Sequence, residues 1–217
     1  MLRTQFEEEL DKLHNQFYAM GTEVLAQINK SVRAFVSHDR DLAQEVIDED
    51  EVVNNYETKL EKKSLEIIAL QQPVSQDLRT VITVLKASND VERMGDHASA
   101  IAKATIRMKG EERVPQVEAE ISKMGKAVKR MLEDALNAYI NGDEATAREV
   151  ATKDEEIDEY FRTIQHQAVE SIRENPEAAF AGKEYFQVLM YLERMGDYAR
   201  NICEWVVYLK TGKIIEL

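Results

Sequence analysis

The pentapeptide Glu92-Arg93-Met94-Gly95-Asp96 recurs letter for letter 101 residues later as Glu193-Arg194-Met195-Gly196-Asp197, with an alanine two places on in both copies (Ala98, Ala199). Each copy sets two carboxylates four residues apart. On a helix that spacing stacks both side chains on one face, one turn apart, within reach of a single ion. A second set precedes each copy at the same spacing: Asp50 with Asn54, and Asp154 with Asp158. If the helices carrying the two sets are antiparallel neighbours, each half assembles four oxygen-bearing side chains across a groove, and a multivalent cation would offset their repulsion.

Oxygen donors without a cysteine or histidine set favour hard ions: magnesium, calcium, manganese or iron. His97 adjoins the first pair, but Tyr198 takes its place in the second, which argues against a histidine ligand. The competing reading is that such pairs in an acidic chain only solvate a helix face. Identical placement in two copies, with a glycine between, weighs against it. Gly95 and Gly196 each cost a helix interior about 1 kcal/mol relative to alanine, so a crossing helix or a bound ion is expected to approach the backbone there. Asp90, matched by Tyr191, reads as an isolated surface charge. Arg93 and Arg194 read as structural or dimer-contact residues.

Enzymatic signals are missing. No glycine-rich lysine loop of the phosphate-binding type occurs, and no E-x-x-H pair for a di-iron oxidase. The histidines His14, His38, His97 and His166 and the lone Cys203 give no nucleophile and base pair.

The elements that position the acidic pairs are helices. Three prolines and eight glycines in 217 residues, with 44% apolar and 32% charged residues, describe an all-α chain with few turns. Breaks at Ser37 to Asp41, Gln71 to Gln76, Lys109 to Pro115, Asn141 to Asp143 and Asn175-Pro176 predict six long helices, over 2–36, 40–70, 75–108, 115–140, 143–174 and 178–210. The repeat extends backwards at an offset of 104: Asp39 matches Asp143, Glu45-Val46 matches Glu149-Val150, Asp50 matches Asp154 and Tyr56 matches Tyr160. Two tandem, similar three-helix bundles follow, over residues 1–110 and 111–217, with short loops making neighbouring helices antiparallel.

Helix phase orients the pairs. Val84, Ala87, Val91, Met94, Ala98, Ile101 and Met108 form an apolar stripe, repeated as Tyr185, Val188, Leu192, Met195, Ala199, Ile202, Val206 and Leu209. The acidic pairs lie roughly 140° to 180° from the stripe centre, on the outside or at a shallow bundle surface.

A formal charge of -13 repels phosphate backbones and anionic lipid, and the sequence shows no local basic patch to overcome it. Nucleic acid and direct membrane insertion are therefore not expected partners. Cys203 lies in an apolar stripe and reads as a buried thiol in a reducing compartment. Residues 1–9 lack the apolar core of a signal peptide and no stretch approaches the ~18 apolar residues of a membrane span, so a soluble, cytoplasmic protein is expected.

Pro73-Val74-Ser75-Gln76-Asp77-Leu78-Arg79, the run Asn89 to Ala98 around the first pentapeptide, and Leu192 to Ile202 around the second together resemble the PhoU family, bacterial accessory proteins of the phosphate-specific transport system. The resemblance spans essentially the whole chain. It implies paired three-helix bundles, each with an E/D-x-x-x-D motif on its third helix able to hold iron or zinc clusters or other divalent ions. It also implies a homodimeric, cytoplasmic negative regulator linking the phosphate ABC transporter ATPase to a PhoR-type histidine kinase. The motif carries over to Glu92, Asp96, Glu193 and Asp197, with Asp50, Asn54, Asp154 and Asp158 following from their repeated positions.

Two differences separate the halves. Asn201, in a D-x-A-x-N-I segment, is Ala100 in the first copy, and Glu204 is Lys103. Both take polar or acidic groups from the first site, which is expected to hold metal less well than the second. Beside the adaptor, two other readings stand: a metal-storage or metal-buffering bundle without a signalling partner, and a repeat that serves only helix packing.

Overall fold

The computed structural model describes residues 2–217, with side chains from Phe6 onward. Met1 and the first side chains, over which the sequence argues against a signal peptide, lie outside the described residues. The chain forms α1 (Leu2–Ser37), α2 (Arg40–Gln71), α3 (Ser75–Arg107), α4 (Pro115–Asn141), α5 (Glu144–Ala151), α6 (Asp154–Glu174) and α7 (Ala179–Thr211), with a 3-10 turn at Pro176–Ala178. No strand occurs among the described residues. None of these helices is long and apolar enough to cross a membrane.

Boundaries follow local chemistry. The Asp39 side chain accepts from Leu42 N at 2.9 Å to cap α2, and Asp143, its repeat mate, accepts from Thr146 N at 3.1 Å to cap α5. Each cap satisfies an amide that has no partner within the helix.

The predicted fifth helix over 143–174 is a correction: it breaks at Thr152-Lys153, dividing α5 from α6. There the backbone tightens into i to i+3 bonds, Lys153 N to Val150 O at 3.0 Å and Glu156 N to Lys153 O at 3.1 Å. The Thr152 hydroxyl adds a bond to Glu149 O at 2.8 Å, an alternative to the helical ladder. The matching stretch of α2 is continuous, so Asp50 sits mid-helix whereas Asp154 opens α6.

Helices α1 to α3 form one three-helix unit, and α4, α5 with α6, and α7 form the second. The two predicted stripes are the core: Val84, Ala87, Val91, Met94, Ala98 and Ile101 are fully buried, as are Val188, Leu192, Met195, Ala199, Ile202 and Val206. Each larger side chain contributes about 1.5–3 kcal/mol on burial.

The halves meet along α1 with α4 and α3 with α7, and their apolar residues merge into one continuous core. α3 and α7 run antiparallel, since Arg79 Nε donates to Leu209 O at 3.2 Å and Arg107 donates to Glu184 Oε2 at 2.6 Å. The duplication even preserves contacts while exchanging their signs. Lys30 pairs with Glu49 at 2.7 Å, and at the matching positions Asp134 pairs with Lys153 at 2.8 Å.

Candidate functional site

Gly95 and Gly196 exist for a helix crossing. A Cβ on Gly95 would meet Val53 Cγ1 of α2 at 3.2 Å, and one on Gly196 would meet Ile157 Cγ2 of α6, the repeat mate of Val53, at 3.2 Å. Each third helix thus lies close against its second helix at the level of the acidic residues. This approach sets Asp50 opposite Glu92 and Asp96, and Asp154 opposite Glu193 and Asp197.

In the first half, burial and then repulsion from Asp96 push the Asp50 carboxyl above its ordinary range, with Lys103 nearby opposing the rise but forming no ion pair with it among the described residues. Glu92 is raised likewise, by burial, by Asp96, by Glu57 and by Asp50. Asp50 Oδ1 is buried with no hydrogen-bond partner. A buried oxygen without a donor carries its desolvation cost uncompensated, so this face has spare acceptor capacity. Asn54 is exposed at the rim. Glu57, which the sequence reading omitted, joins this face; its repeat mate is Phe161, so no repeated pattern pointed to it.

The second half differs. Arg200 donates to Asp154 Oδ2 in a short ion pair and to Asp197 Oδ1 at 3.1 Å. Asp154 and Glu193 are still pushed upward, first by burial, with Asp197 and Asp158 adding to the repulsion. Asp158 reaches Arg162 at 3.5 Å. A counter-cation is therefore built into this set, and a Cβ on Gly196 would lie only 2.9 Å from Asp154 Oδ1. The residue matching Arg200 in the first half is Ser99, whose Oγ is buried without a partner. Arg200 follows Asp197 by three, a spacing that brings the two together on one helix face, and this was the available signal.

Oxygen-only donors and the orphaned Asp50 oxygen fit a hard cation in the first half. In the second, Arg200 already supplies the positive charge. Among the described residues no three Asp, Glu, His or Cys side chains converge closely enough to hold one ion as they stand.

The structure corrects several sequence expectations around these sets. Asp90 is no isolated surface charge. It lies in a groove of about 570 Å³ with Asn201, Glu204 and Trp205 of α7, accepts from Asn201 Nδ2 at 3.4 Å, and burial pushes its carboxyl up to about 6. Asn201 therefore faces α3, and Glu204 accepts from Leu217 N at 3.0 Å, so neither enriches the second acidic set. The Asn201 part of the expected difference therefore loses its basis, whereas Lys103, which stands where the second half has Glu204, does place positive charge near Asp50 of the first set.

His97 lies stacked with Tyr191 and Tyr198 of α7, at centroid distances of 5.2 and 5.8 Å. Cys203 is fully buried, and burial pushes its thiol up to about 12. The absence of a basic patch is also overturned: Lys123, Lys126, Lys129 and Arg130 of α4 cluster on one face, with Arg33 of α1 beside Lys126 and Lys129.

Comparison with known proteins follows this geometry. The sequence model described as the PhoU domain matches residues 17–105 and 121–206, one match in each half. The chain is 35% identical over 216 residues to a protein of Streptococcus pneumoniae serotype 4 named phosphate-specific transport system accessory protein PhoU homolog, with 100% of each chain covered. A Clostridium acetobutylicum protein of the same name is 36% identical over 218 residues, covering 100% of this chain and 99% of the relative. The crystal structure of the phosphate transport system regulatory protein PhoU from Streptococcus pneumoniae superposes with a TM-score of 0.91 at 34% identity, covering 98% of this chain and 100% of that one. PhoU from Pseudomonas aeruginosa gives 0.91 at 35% identity over 96% and 100%. With both halves matched and relatives similar from end to end, the chain belongs to the PhoU family.

Proposed function

We propose that the protein is a regulatory accessory of phosphate transport, acting in the cytoplasm as a homodimer by occupying partners and not by catalysis. The observation that carries this reading is the end-to-end similarity, in sequence and in fold, to proteins named for that role. Its partners are the ATPase of a phosphate ABC transporter and a PhoR-type histidine kinase, and its effect on uptake and on phosphate-starvation genes is negative.

In this reading the first acidic set is the responsive element. A bound iron, manganese, zinc or magnesium ion would supply positive charge between Asp50, Glu92 and Asp96, with Asn54 as a neutral oxygen donor. Asp50 is carried by α2, which packs on Gly95 through Val53, while Glu92 and Asp96 would reach toward it by side-chain rotation. Neutralising these groups removes a repulsion that now acts between α2 and α3, and so stiffens the pair. In the second half, Arg200 gives Asp154 and Asp197 the same relief permanently, and Glu193 and Asp158 remain as the rim. Metal storage is the weaker alternative, because Arg200 already pairs with Asp154 and Asp197, two of the four carboxylates of the second set, which leaves that set little capacity.

The test is a deletion strain complemented by the wild-type gene or by Asp50→Ala with Asp96→Ala. The reading expects deletion to raise alkaline phosphatase expression and phosphate uptake in phosphate-rich medium, and wild type to restore both. A deletion that alters cellular metal content and leaves both untouched overturns it in favour of storage.

A further inference from the structure

On the side of the molecule where α1 crosses α4, a groove of about 500 Å³ is floored by Ile28, Val32 and Gly125 and rimmed by Arg33, Lys126 and Lys129. Gly125 carries no side chain, so Val32 of α1 packs directly over its backbone and the two helices meet closely along the floor. Lys123 and Arg130 continue the basic rim along α4 into an adjoining hollow. Among the described residues, only Lys123 of these five cations is held in an ion pair, to Glu120 at 2.7 Å. Unpaired cations beside an apolar floor are unexpected in a chain of net charge -13.

The duplication provides an internal control. At the matching positions Arg33 is Asn137, Lys123 is Ala19, Lys126 is Thr22, Lys129 is Leu25 and Arg130 is Ala26, none of them charged. The glycine and the branched residue over it are kept, as Gly21 under Leu136. Helix crossing therefore needs the glycine and the aliphatic residue but not the cations, which belong to one face alone.

We propose that this groove docks an acidic amphipathic helix of a partner protein. The apolar floor takes an i, i+3, i+4, i+7 ridge, and Arg33, Lys126 and Lys129 meet the carboxylates flanking it. A concave, half-enclosed groove suits a single helix better than a planar lipid surface, and a membrane would bring the remaining negative charge against its own anionic headgroups. The inference deepens the adaptor reading and rests on it only in supposing a protein partner.

The probe is a fluorescein-labelled 18-residue helical peptide with leucines at the ridge positions and glutamates elsewhere, titrated with the full-length protein and followed by anisotropy. Binding is expected to fall at least tenfold in the double variant Lys126→Glu, Lys129→Glu, and to weaken as salt is raised. Any binding of the same peptide with lysine for glutamate, drawn by the net charge of -13, is expected not to weaken in that double variant. Both substitutions lie on the outer face of α4, and circular dichroism checks the fold. Equal affinity for wild type and variant, or no binding at all, overturns the proposal. So does binding only to phosphatidylserine vesicles, or concentration-dependent self-association in sedimentation that the variant abolishes. The readout is purified-protein binding, so it fails or succeeds separately from the phosphatase and uptake phenotypes.

Discussion

Gly21 lies beneath Leu136: a Cβ on the glycine would fall 2.6 Å from the leucine Cδ1. The repeat of this contact uses a different side chain. Gly125 lies beneath Val32, whose Cγ2 and Cγ1 would be 2.7 and 2.8 Å from an added Cβ. α1 and α4 thus cross by exchanging the same two contacts, which joins the halves about a pseudo-two-fold axis.

Val32 is β-branched and stiff at χ1, whereas Leu136 can swing its methyls aside. Gly125→Ala is therefore expected to lower stability by about 1–3 kcal/mol, more than Gly21→Ala, for which the gain in helix propensity offsets much of the strain. Thermal or urea unfolding of the two variants checks the order.

Removing a charge should act unequally in the two halves. Asp50→Asn takes away a carboxylate raised by burial and by Asp96, and is expected to raise the melting temperature of chelator-treated protein. Asp154→Asn relieves a buried, raised carboxylate but leaves Arg200 only Asp197 as an ion partner, so its gain is expected to be smaller than that of Asp50→Asn or to turn into a loss. Calorimetry of the two variants in chelator reads the sign of each.

Burial pushes the His14 imidazole below its ordinary value, and the ring bonds to the Tyr139 hydroxyl. The unfolded chain takes up a proton near 6.5. The folded one does so only at lower pH, so this contribution is present above 6.5 and is lost as pH falls toward the depressed value. The raised carboxyls of Asp50, Glu92, Asp154 and Glu193 work the other way, gaining stability on acidification. The His14 share is therefore read as a difference: between pH 7 and 5, His14→Gln is expected to lose less stability, or gain more, than wild type.

Burial and a thiol raised to about 12 predict that Cys203 resists Ellman's reagent in the native protein and reacts at once in urea. Fast native labelling contradicts the burial.

The parts legible in sequence were those written in local periodicity. The stripes through Val91 and Leu192 set the core face, and the four-residue spacing of Glu92 and Asp96 placed them on the shallow surface. What was missed depends on which helix lies opposite. Asp90 looked solitary because its partner Asn201 is on α7, across the seam between halves. The role of Arg200 depends on how α6 begins, and the break at Thr152-Lys153 that starts it contains neither glycine nor proline. The basic rim was partly legible, since Lys123, Lys126, Lys129 and Arg130 recur at helical spacing along α4; only Arg33, brought in from α1, depends on the fold.

The central claim is that the halves have diverged, the first left open to a cation and the second closed by Arg200. Manganese titration calorimetry on chelator-stripped wild type, Asp50→Ala and Arg200→Ala tests it most directly. The account predicts binding in wild type that Asp50→Ala removes, with an additional site appearing in Arg200→Ala. Two equal sites in wild type, or binding that survives Asp50→Ala and gains nothing from Arg200→Ala, contradicts it.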